Sequence, residues 1–208
     1  ALEAYLLQLD GLQQAAAVWT DWNSKINVVS RKDIDNLWEH HIMHSLAIAE
    51  YLDRFYPGEV PSSILDIGTG GGFPGIPLAI AMPGTSFTLC DSVGKKLKVA
   101  EEVVRSLDLA NVSIVNARAE TLKGEWDWVV SRAVASLDDF YPWARGKYSR
   151  GILFLKGGDV NDEISELLRH RHLDAGKIRC WRVDNWLKDE YFEEKFVIEI
   201  GKNYLCTP

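Results

Sequence analysis

Residues 64–80, ILDIGTGGGFPGIPLAI, form a glycine-rich turn between two apolar runs. Five glycines fall within eight positions, and their spacing fits both G-x-G-x-G and G-x-G-x-x-G. Glycine has no Cβ atom, so it permits positive φ and lets a ligand come close to the backbone. A tight turn needs only one glycine, so five of them indicate a bound ligand. The string lacks the Gly-Lys-Ser/Thr ending of a Walker-type P-loop, which excludes that kind of site.

An acidic residue follows the next apolar run. Asp91 closes TLCD about 20 residues after Gly70, the spacing of the ribose-binding acid in dinucleotide folds. Its carboxylate can accept hydrogen bonds from both ribose hydroxyls, which suits a nicotinamide dinucleotide and S-adenosylmethionine equally. We expect Gly68 and Gly70 to leave room for the cofactor and Gly75 to serve helix packing.

Three further features favour S-adenosylmethionine over NAD. Asp66 lies inside the strand before the turn, where S-adenosylmethionine sites often place an acid near the amino-acid part of the cofactor. After the third predicted strand, the backbone of Ala119 and the carboxylate of Glu120 can bind an adenine edge. A closing strand pair would turn a doubly wound sheet into the seven-stranded class I methyltransferase sheet.

The loop after the fourth predicted strand, SRAVASL, is where the acceptor chemistry is expected. It lacks the (D/N/S)-P-P-(Y/F/W) turn of enzymes that methylate exocyclic amines. Methylation of pyrimidine C5 needs a loop cysteine, but Cys90 is in a strand, as a small buried hydrophobe, and Cys180 and Cys206 fall in the terminal strand pair. Guanine N7 fits better, because its lone pair is free and alignment with electrostatics can supply most of the catalysis.

Two basic residues fall at strand ends that face the predicted cofactor edge. Arg132 and Lys156 can hold guanine O6 or RNA phosphates, and the alternative is that they form salt bridges at the rim of the domain.

Strand and helix patterns alternate along residues 62–208, which predicts a mostly parallel sheet with helices on both faces. The last two strands are too close for a crossover, so they should form an antiparallel hairpin. Before this domain, residues 1–56 form a helical extension, with one helix over residues 2–19 and a second from a cap at Asp33 to about Arg54. The linker between the two parts is FYPGEVPSS.

The chain has 208 residues and a net charge of −7, which argues against non-specific coating of nucleic acid. Lys95, Lys96 and Lys98 supply a local positive patch for RNA. Isolated cysteines, no signal-peptide pattern and no apolar run of about 20 residues favour a cytoplasmic protein without a membrane span. We expect a monomer.

The helix segment EHHIMH places His40 and His44 four residues apart, a spacing that can share a metal ion. The sequence offers no residue that clearly completes such a site, so we expect no metal and interpret the segment as a polar helix face or an RNA contact.

Several separately spaced motifs together resemble the ribosomal RNA small-subunit methyltransferase G family, also called glucose-inhibited division protein B. The motifs are WNSKINVVSRKD, HIMHS, GTGGGFPGIPL, LCDSVGKK, NARAE, SRAVASL and LKGG. The resemblance implies a class I fold and methyl transfer from S-adenosylmethionine to N7 of a guanine in the 530 loop of bacterial 16S ribosomal RNA, in the 30S subunit. It implies cofactor contacts from Gly68, Phe73, Ala119, Glu120 and Arg132. It also places Asn27, His41, Arg118 and Lys156 near the RNA or the methyl-transfer site.

Two segments depart from the family pattern. In the second helix, the chain has His40-His41-Ile42-Met43-His44-Ser45 where the pattern is R-H-I-L-D-S. In the last strand, EKFVIEIGK, the pattern has a basic residue followed by His, and this chain has Lys195 as the basic residue without the His. Three other hypotheses remain open: a small-molecule methyltransferase, an NAD-dependent oxidoreductase and a non-catalytic ribosome-assembly factor.

Overall fold

The computed structural model describes residues 9–132 and 134–205. Its centre is a seven-stranded sheet in the order β3-β2-β1-β4-β5-β7-β6. The strands are β1 (Ser63–Ile67), β2 (Ser86–Asp91), β3 (Val112–Asn116), β4 (Trp126–Arg132), β5 (Tyr148–Gly157), β6 (Ile178–Arg182) and β7 (Lys195–Gly201). Leu2, Tyr5 and Leu6 of the predicted first helix, and Cys206, lie outside the described residues.

Strand directions follow the sequence prediction. β1 to β5 run parallel to one another, and β7 runs antiparallel to both β5 and β6. The predicted class I methyltransferase sheet, a Rossmann-like arrangement closed by a C-terminal hairpin, is therefore confirmed.

Within residues 9–132 and 134–205, six α-helices cover the two faces of the sheet. They are α1 (Leu9–Asn23), α2 (His44–Phe55), α3 (Gly75–Ala81), α4 (Gly94–Ser106), α5 (Leu137–Ala144) and α6 (Asn161–Arg171). Helices α1 to α4 share one apolar core with one sheet face, and α5 and α6 share a second core with the other face. In α4 the buried side is Leu97, Val99, Ala100 and Val103, which leaves the lysines of its first turns exposed.

The predicted second helix is divided into three pieces. A 3-10 turn (Ile34–Asn36) and a π-helix (Leu37–Met43) precede α2. Asp33 makes no side-chain cap bond at the start of this segment, so its predicted capping role is wrong. Its carboxylate binds two imidazoles instead, as described below.

A polar cluster around a buried carboxylate, the anchor cluster, joins the end of α2 to the β6–β7 side of the sheet. It consists of Tyr51, Tyr56, Arg179 and Glu199. Glu199, in the middle of β7, has no exposed surface and accepts hydrogen bonds from both tyrosine hydroxyls. Arg179 on β6 lies 3.5 Å from the same carboxylate.

The apolar core that includes Leu12, Trp19 and Leu46 continues into the sheet without interruption. The division into a 1–56 extension and a 62–208 domain, as separately folding parts, stays a prediction. Within the described part of the chain, no helix has both the length and the apolar character needed to cross a bilayer.

Candidate active site

The glycine turn leaves the carboxyl end of β1 in a conformation that only glycine adopts easily. Gly68, Gly70 and Gly72 have φ values of 75°, 57° and 110°. A Cβ atom on Gly75 would lie 2.9 Å from Leu89, so this glycine permits close packing of α3 on β2 as predicted.

Asp66 holds this turn from beneath. One carboxylate oxygen accepts hydrogen bonds from the Thr69 hydroxyl, at 2.7 Å, and from the Gly75 amide, at 2.8 Å. Complete burial raises the pKa of Asp66 to about 7. Because the side chain has no exposed surface and lines no cavity described below, it supports the turn instead of facing a ligand.

The N-terminal segment holds the same turn from outside. The Trp19 indole donates a 2.7 Å hydrogen bond to the Gly71 carbonyl and stacks on Phe73 with a centroid distance of 4.3 Å. Val28 packs so closely that a Cβ atom on Gly71 would lie 2.7 Å from it. The sequence patterns predicted a helix over residues 2–19 and gave no sign of this contact, so this role of Trp19 was missed.

A cavity of about 330 Å³ lies beyond the carboxyl ends of β1, β2 and β3. It brings together the predicted Asp91, Ala119 and Glu120, with Arg118 at its wall. Glu120 and Arg118 are exposed and Ala119 is buried in a 3-10 turn. The other lining residues are Ile67, Gly68, Cys90, Ser92, Ala117, Val134 and Trp143.

Asp91 ties two loops together at this cavity. Its carboxylate accepts from the Gly70 amide at 2.7 Å and from the Val93 amide at 2.8 Å. An ionised carboxylate offers about four lone-pair sites, so it can accept two hydroxyls in addition.

A second cavity, of about 350 Å³, lies over the glycine turn. It shares Gly68, Asp91 and Val134 with the first cavity, so the two are adjoining parts of one cleft. The remaining lining residues are Val28, Thr69, Gly70, Gly71, Phe73, Lys96 and Arg132. Val134 lies directly on Gly68, where a Cβ atom would come within 2.4 Å of it. Lys96 was predicted as part of the positive patch for RNA and not as a residue of this cleft, and Val134 was not a predicted site residue.

The cleft fits S-adenosylmethionine. Asp91 faces both cavities and retains acceptor capacity for a ribose, and the first cavity has the size of a small-ligand site. The glycine turn borders the second cavity with backbone and few side-chain atoms.

Arg132, at the end of β4, borders the second cavity and is held by the N-terminal segment. Its guanidinium donates to His41 Nδ1 at 2.8 Å and to the His40 carbonyl at 3.2 Å. It also lies 5.1 Å above the Phe73 ring. Burial lowers the pKa of Arg132, although a guanidinium stays charged at neutral pH.

Asp33 completes the group around Arg132. Its two oxygens bind His40 Nδ1 at 2.6 Å and His41 Nε2 at 2.7 Å. We call Asp33, His40, His41 and Arg132 the rim cluster. Burial and the charge of Arg132 lower the pKa of His41 to about 4, so this imidazole is neutral at pH 7.

The π-helix explains how the His40 carbonyl reaches Arg132. The amide of His44 donates to the Glu39 carbonyl, five residues back, and to the His41 carbonyl, three residues back, but not to the His40 carbonyl, four residues back. The His40 carbonyl thus lacks its usual helical partner and accepts from Arg132 and, at 3.4 Å, from the Tyr191 hydroxyl.

The departures from the family pattern lie next to this cluster. His44 is buried against Tyr191 and Phe192, and burial holds its pKa well below the usual value. His40 stacks on Tyr191 with a centroid distance of 3.6 Å, and Lys195 lies 4.7 Å from the same ring. The 3-10 turn Glu190–Phe192 thereby connects the C-terminal hairpin to the π-helix.

Lys156 has partners of its own. Its ammonium group donates to the Ala135 carbonyl at 3.0 Å and pairs with Glu163 of α6 at 3.0 Å. The same Glu163 oxygen accepts from the Leu137 amide at 3.1 Å. Lys156 therefore fixes the loop between β4 and α5, and it lines neither cavity of the cleft.

The other predicted residues lie apart from these contacts. Asn27 and Lys95 are exposed on the connector and on α4. Cys90 is buried, donates to the Ala117 carbonyl at 3.3 Å and has its pKa raised to about 11 by burial, in agreement with its predicted packing role. Across residues 9–132 and 134–205, no group of three His, Cys, Asp or Glu side chains is placed to hold a metal ion.

Comparisons with known proteins agree on one family. A family model described as rRNA small subunit methyltransferase G (GidB) matches residues 8–179. The chain is 43% identical over 205 residues to the ribosomal RNA small subunit methyltransferase G of Christiangramia forsetii, covering 95% of this chain and 92% of that protein. It is 45% identical over 191 residues to the Bacteroides fragilis protein of the same name, covering 88% and 87%.

Solved structures show the same fold at low identity. A magnesium protoporphyrin IX methyltransferase of Synechocystis with bound S-adenosylmethionine gives a TM-score of 0.63 at 14% identity, over 91% of this chain and 97% of that one. A plantazolicin methyltransferase with bound S-adenosylhomocysteine gives 0.61 at 11% identity, over 95% and 99%.

Proposed function

The chain belongs to the ribosomal RNA small subunit methyltransferase G family, and on this premise we propose that it methylates N7 of a guanine in the 530 loop of bacterial 16S ribosomal RNA. It is a methyltransferase and its cofactor is S-adenosylmethionine. When bound, this cofactor supplies a methyl group on a positively charged sulfur that leaves as a neutral thioether.

The observation that carries the choice of guanine N7 is the bonding of His41. Its Nδ1 lone pair accepts from Arg132 and its Nε2–H donates a hydrogen bond to Asp33, so this imidazole has no lone pair free to remove a proton. Cys90, in the first cavity, is held as a thiol by burial. Guanine N7 needs no deprotonation, because its lone pair attacks directly, so positioning and electrostatics suffice.

The cofactor would lie along the cleft between the two cavities. Asp91 would accept the ribose hydroxyls, and the Ala119 backbone with the Glu120 carboxylate would bind the adenine edge. Gly68 and Gly70 would border the methionine part, with Phe73 beside it. With these contacts, Arg132, which borders the second cavity, would be near the methyl group.

The RNA would approach from the side of the rim cluster. Arg132 donates hydrogen bonds in a fork that suits guanine O6, and exposed Arg118, Lys95 and Asn27 are available for phosphates and sugars. His41 and Lys156, both predicted near the RNA, already have protein partners, so their contribution would be to hold Arg132 and the loop after β4.

The partner would be 16S ribosomal RNA, as naked RNA, an assembly intermediate or the 30S subunit, and the enzyme would act as a monomer in the cytoplasm.

Mass-spectrometric mapping of 7-methylguanosine tests the proposal. Ribosomal RNA and 30S subunits from a strain without the activity are incubated with the protein and S-adenosylmethionine. The proposal expects one 7-methylguanosine in the 530 loop. Methylation of another atom, or no incorporation at saturating cofactor, would overturn it. Calorimetry with S-adenosylhomocysteine and NADH provides the cofactor control, and binding of NADH alone would favour an oxidoreductase.

A further inference from the structure

Asp33 contacts both histidines of the π-helix. Each carboxylate oxygen binds a different imidazole, at 2.6 Å and 2.7 Å. Hydrogen bonds from these side chains lower the pKa of Asp33, against the opposing effect of burial, so it is ionised at neutral pH and accepts from both rings.

This geometry selects one tautomer of His41. Arginine can only donate, so the Arg132 contact of 2.8 Å requires a lone pair on Nδ1. The neutral ring then carries its proton on Nε2, where ionised Asp33 accepts it. The carboxylate thus sets the tautomer that Arg132 needs, as carboxylates hydrogen-bonded to metal-bound histidines do.

Two contacts fix the Arg132 guanidinium in one place. One is His41 Nδ1, and the other is the His40 carbonyl that the π-helix leaves available. Asp33 holds both residues, because one of its oxygens binds His40 Nδ1 and the other binds His41 Nε2.

We propose that Asp33 is a positioning residue for methyl transfer, which acts through His41 and His40 to hold the Arg132 guanidinium at the acceptor end of the cleft. The inference rests on the proposed function. Asp33 and His41 themselves line neither cavity, so they act through Arg132 and not by contact with the cofactor.

The test uses Asp33→Asn, with Asp35→Asn as a matched control. Asp35 lies two residues away, is exposed and makes no side-chain hydrogen bond or ion pair within the described residues. An asparagine offers one acceptor where two imidazole N–H groups need one each. We expect Asp33→Asn to lower kcat by about tenfold to a hundredfold, with the KM for S-adenosylmethionine and the affinity for S-adenosylhomocysteine unchanged. Asp33→Glu should recover part of the rate, and Asp35→Asn should match the unmodified protein.

An NMR measurement without RNA separates this proposal from the proposed function. Nitrogen-15 spectra of histidine-labelled protein at pH 7 should show His41 as the Nε2–H tautomer, and Asp33→Asn should shift it toward Nδ1–H or a mixture. A His41→Gln variant assigns the signal.

Unchanged kcat in Asp33→Asn, or an unchanged His41 tautomer, would overturn the positioning role. Failure of the unmodified protein to make 7-methylguanosine would instead overturn the proposed function. The tautomer measurement does not depend on methyl transfer and would still test whether Asp33 orients His41.

Discussion

Two polar clusters join the same N-terminal segment to the sheet, and they differ in burial and location. In the anchor cluster, the Glu199 carboxylate has no exposed surface, and burial together with Glu199 raises the pKa of both Tyr51 and Tyr56. In the rim cluster, Asp33 keeps about a third of its side chain exposed, and Arg132 borders the cleft.

This difference in burial indicates that the hydrogen bonds of the two clusters do different things: one set stabilises the fold and the other positions a side chain. A buried group that loses its partner costs free energy of unfolding, because no water replaces that partner. A partly exposed group at a cleft recovers water easily, so its loss changes geometry more than stability. We therefore expect the anchor cluster to govern stability and the rim cluster to govern methyl transfer.

The largest effect is expected from Glu199→Ala. The substitution leaves the buried Tyr51 hydroxyl and the part-buried Tyr56 hydroxyl without their acceptor, which should lower the free energy of unfolding by about 3–5 kcal/mol. Urea denaturation measures the loss. Glu199→Gln keeps one acceptor oxygen and should lose clearly less. If the folded fraction of Glu199→Ala had a reduced kcat, the separation of purposes would be wrong.

The next effect is expected from Arg132→Lys. Lysine keeps the charge but lacks the fork that reaches His41 and the His40 carbonyl together. We expect kcat to fall about a hundredfold, equivalent to about 2.7 kcal/mol, while the urea midpoint changes little. Single-turnover rates on saturating RNA provide the measurement. A large loss of stability with an unchanged rate would assign Arg132 to anchoring.

A third substitution, Asp91→Ala, lies in neither cluster and sharpens the comparison. It removes the proposed ribose acceptor and the tie between the Gly70 and Val93 amides. The affinity for S-adenosylhomocysteine should fall about tenfold or more, close to 1.5 kcal/mol. Calorimetry checks this, with Glu199→Gln as the control that should bind normally. Equal affinity in Asp91→Ala would remove Asp91 from the cofactor site.

The smallest effect is a pH dependence of the rim cluster. The unfolded chain protonates His41 as pH falls below about 6.5, but the folded state does so only near 4. Folding stability should therefore fall as pH drops from 6.5 to 4, by about 1 kcal/mol once solvent screening is included. Urea unfolding of the unmodified protein and of His41→Gln at several pH values gives the difference. A difference that is independent of pH would contradict the neutral His41.

The sheet was predictable because its signals are local in sequence. The apolar runs before the glycine turn and before Asp91 predicted two strands, and the structure has β1 (Ser63–Ile67) and β2 (Ser86–Asp91) there. The short spacing of the last two strands gave the hairpin. Asp91 followed from the same logic, since a strand end fixes where its side chain emerges.

The rim cluster was less predictable because its bonds join distant parts of the chain. In the sequence, Asp33 has the pattern of a helix cap. In the structure, its carboxylate binds the two imidazoles of the π-helix instead of capping the helix. From its position in the sequence, Lys156 could bind RNA, but in the fold its ammonium group pairs with Glu163 of α6. Hydrophobic periodicity does not distinguish a π-helix from an α-helix over seven residues.

Because the π-helix sets the contact between His41 and Arg132, the number of residues from 37 to 43 matters for function. Removing one residue there would let the segment close into ordinary α-helical hydrogen bonding and would turn the residues on one side by about 100° about the helix axis. His41 would then leave Arg132 even if every side chain of the cluster were retained. Among relatives, chain length in this segment should consequently vary far less than amino-acid identity, and a single-residue deletion should be more damaging than most substitutions.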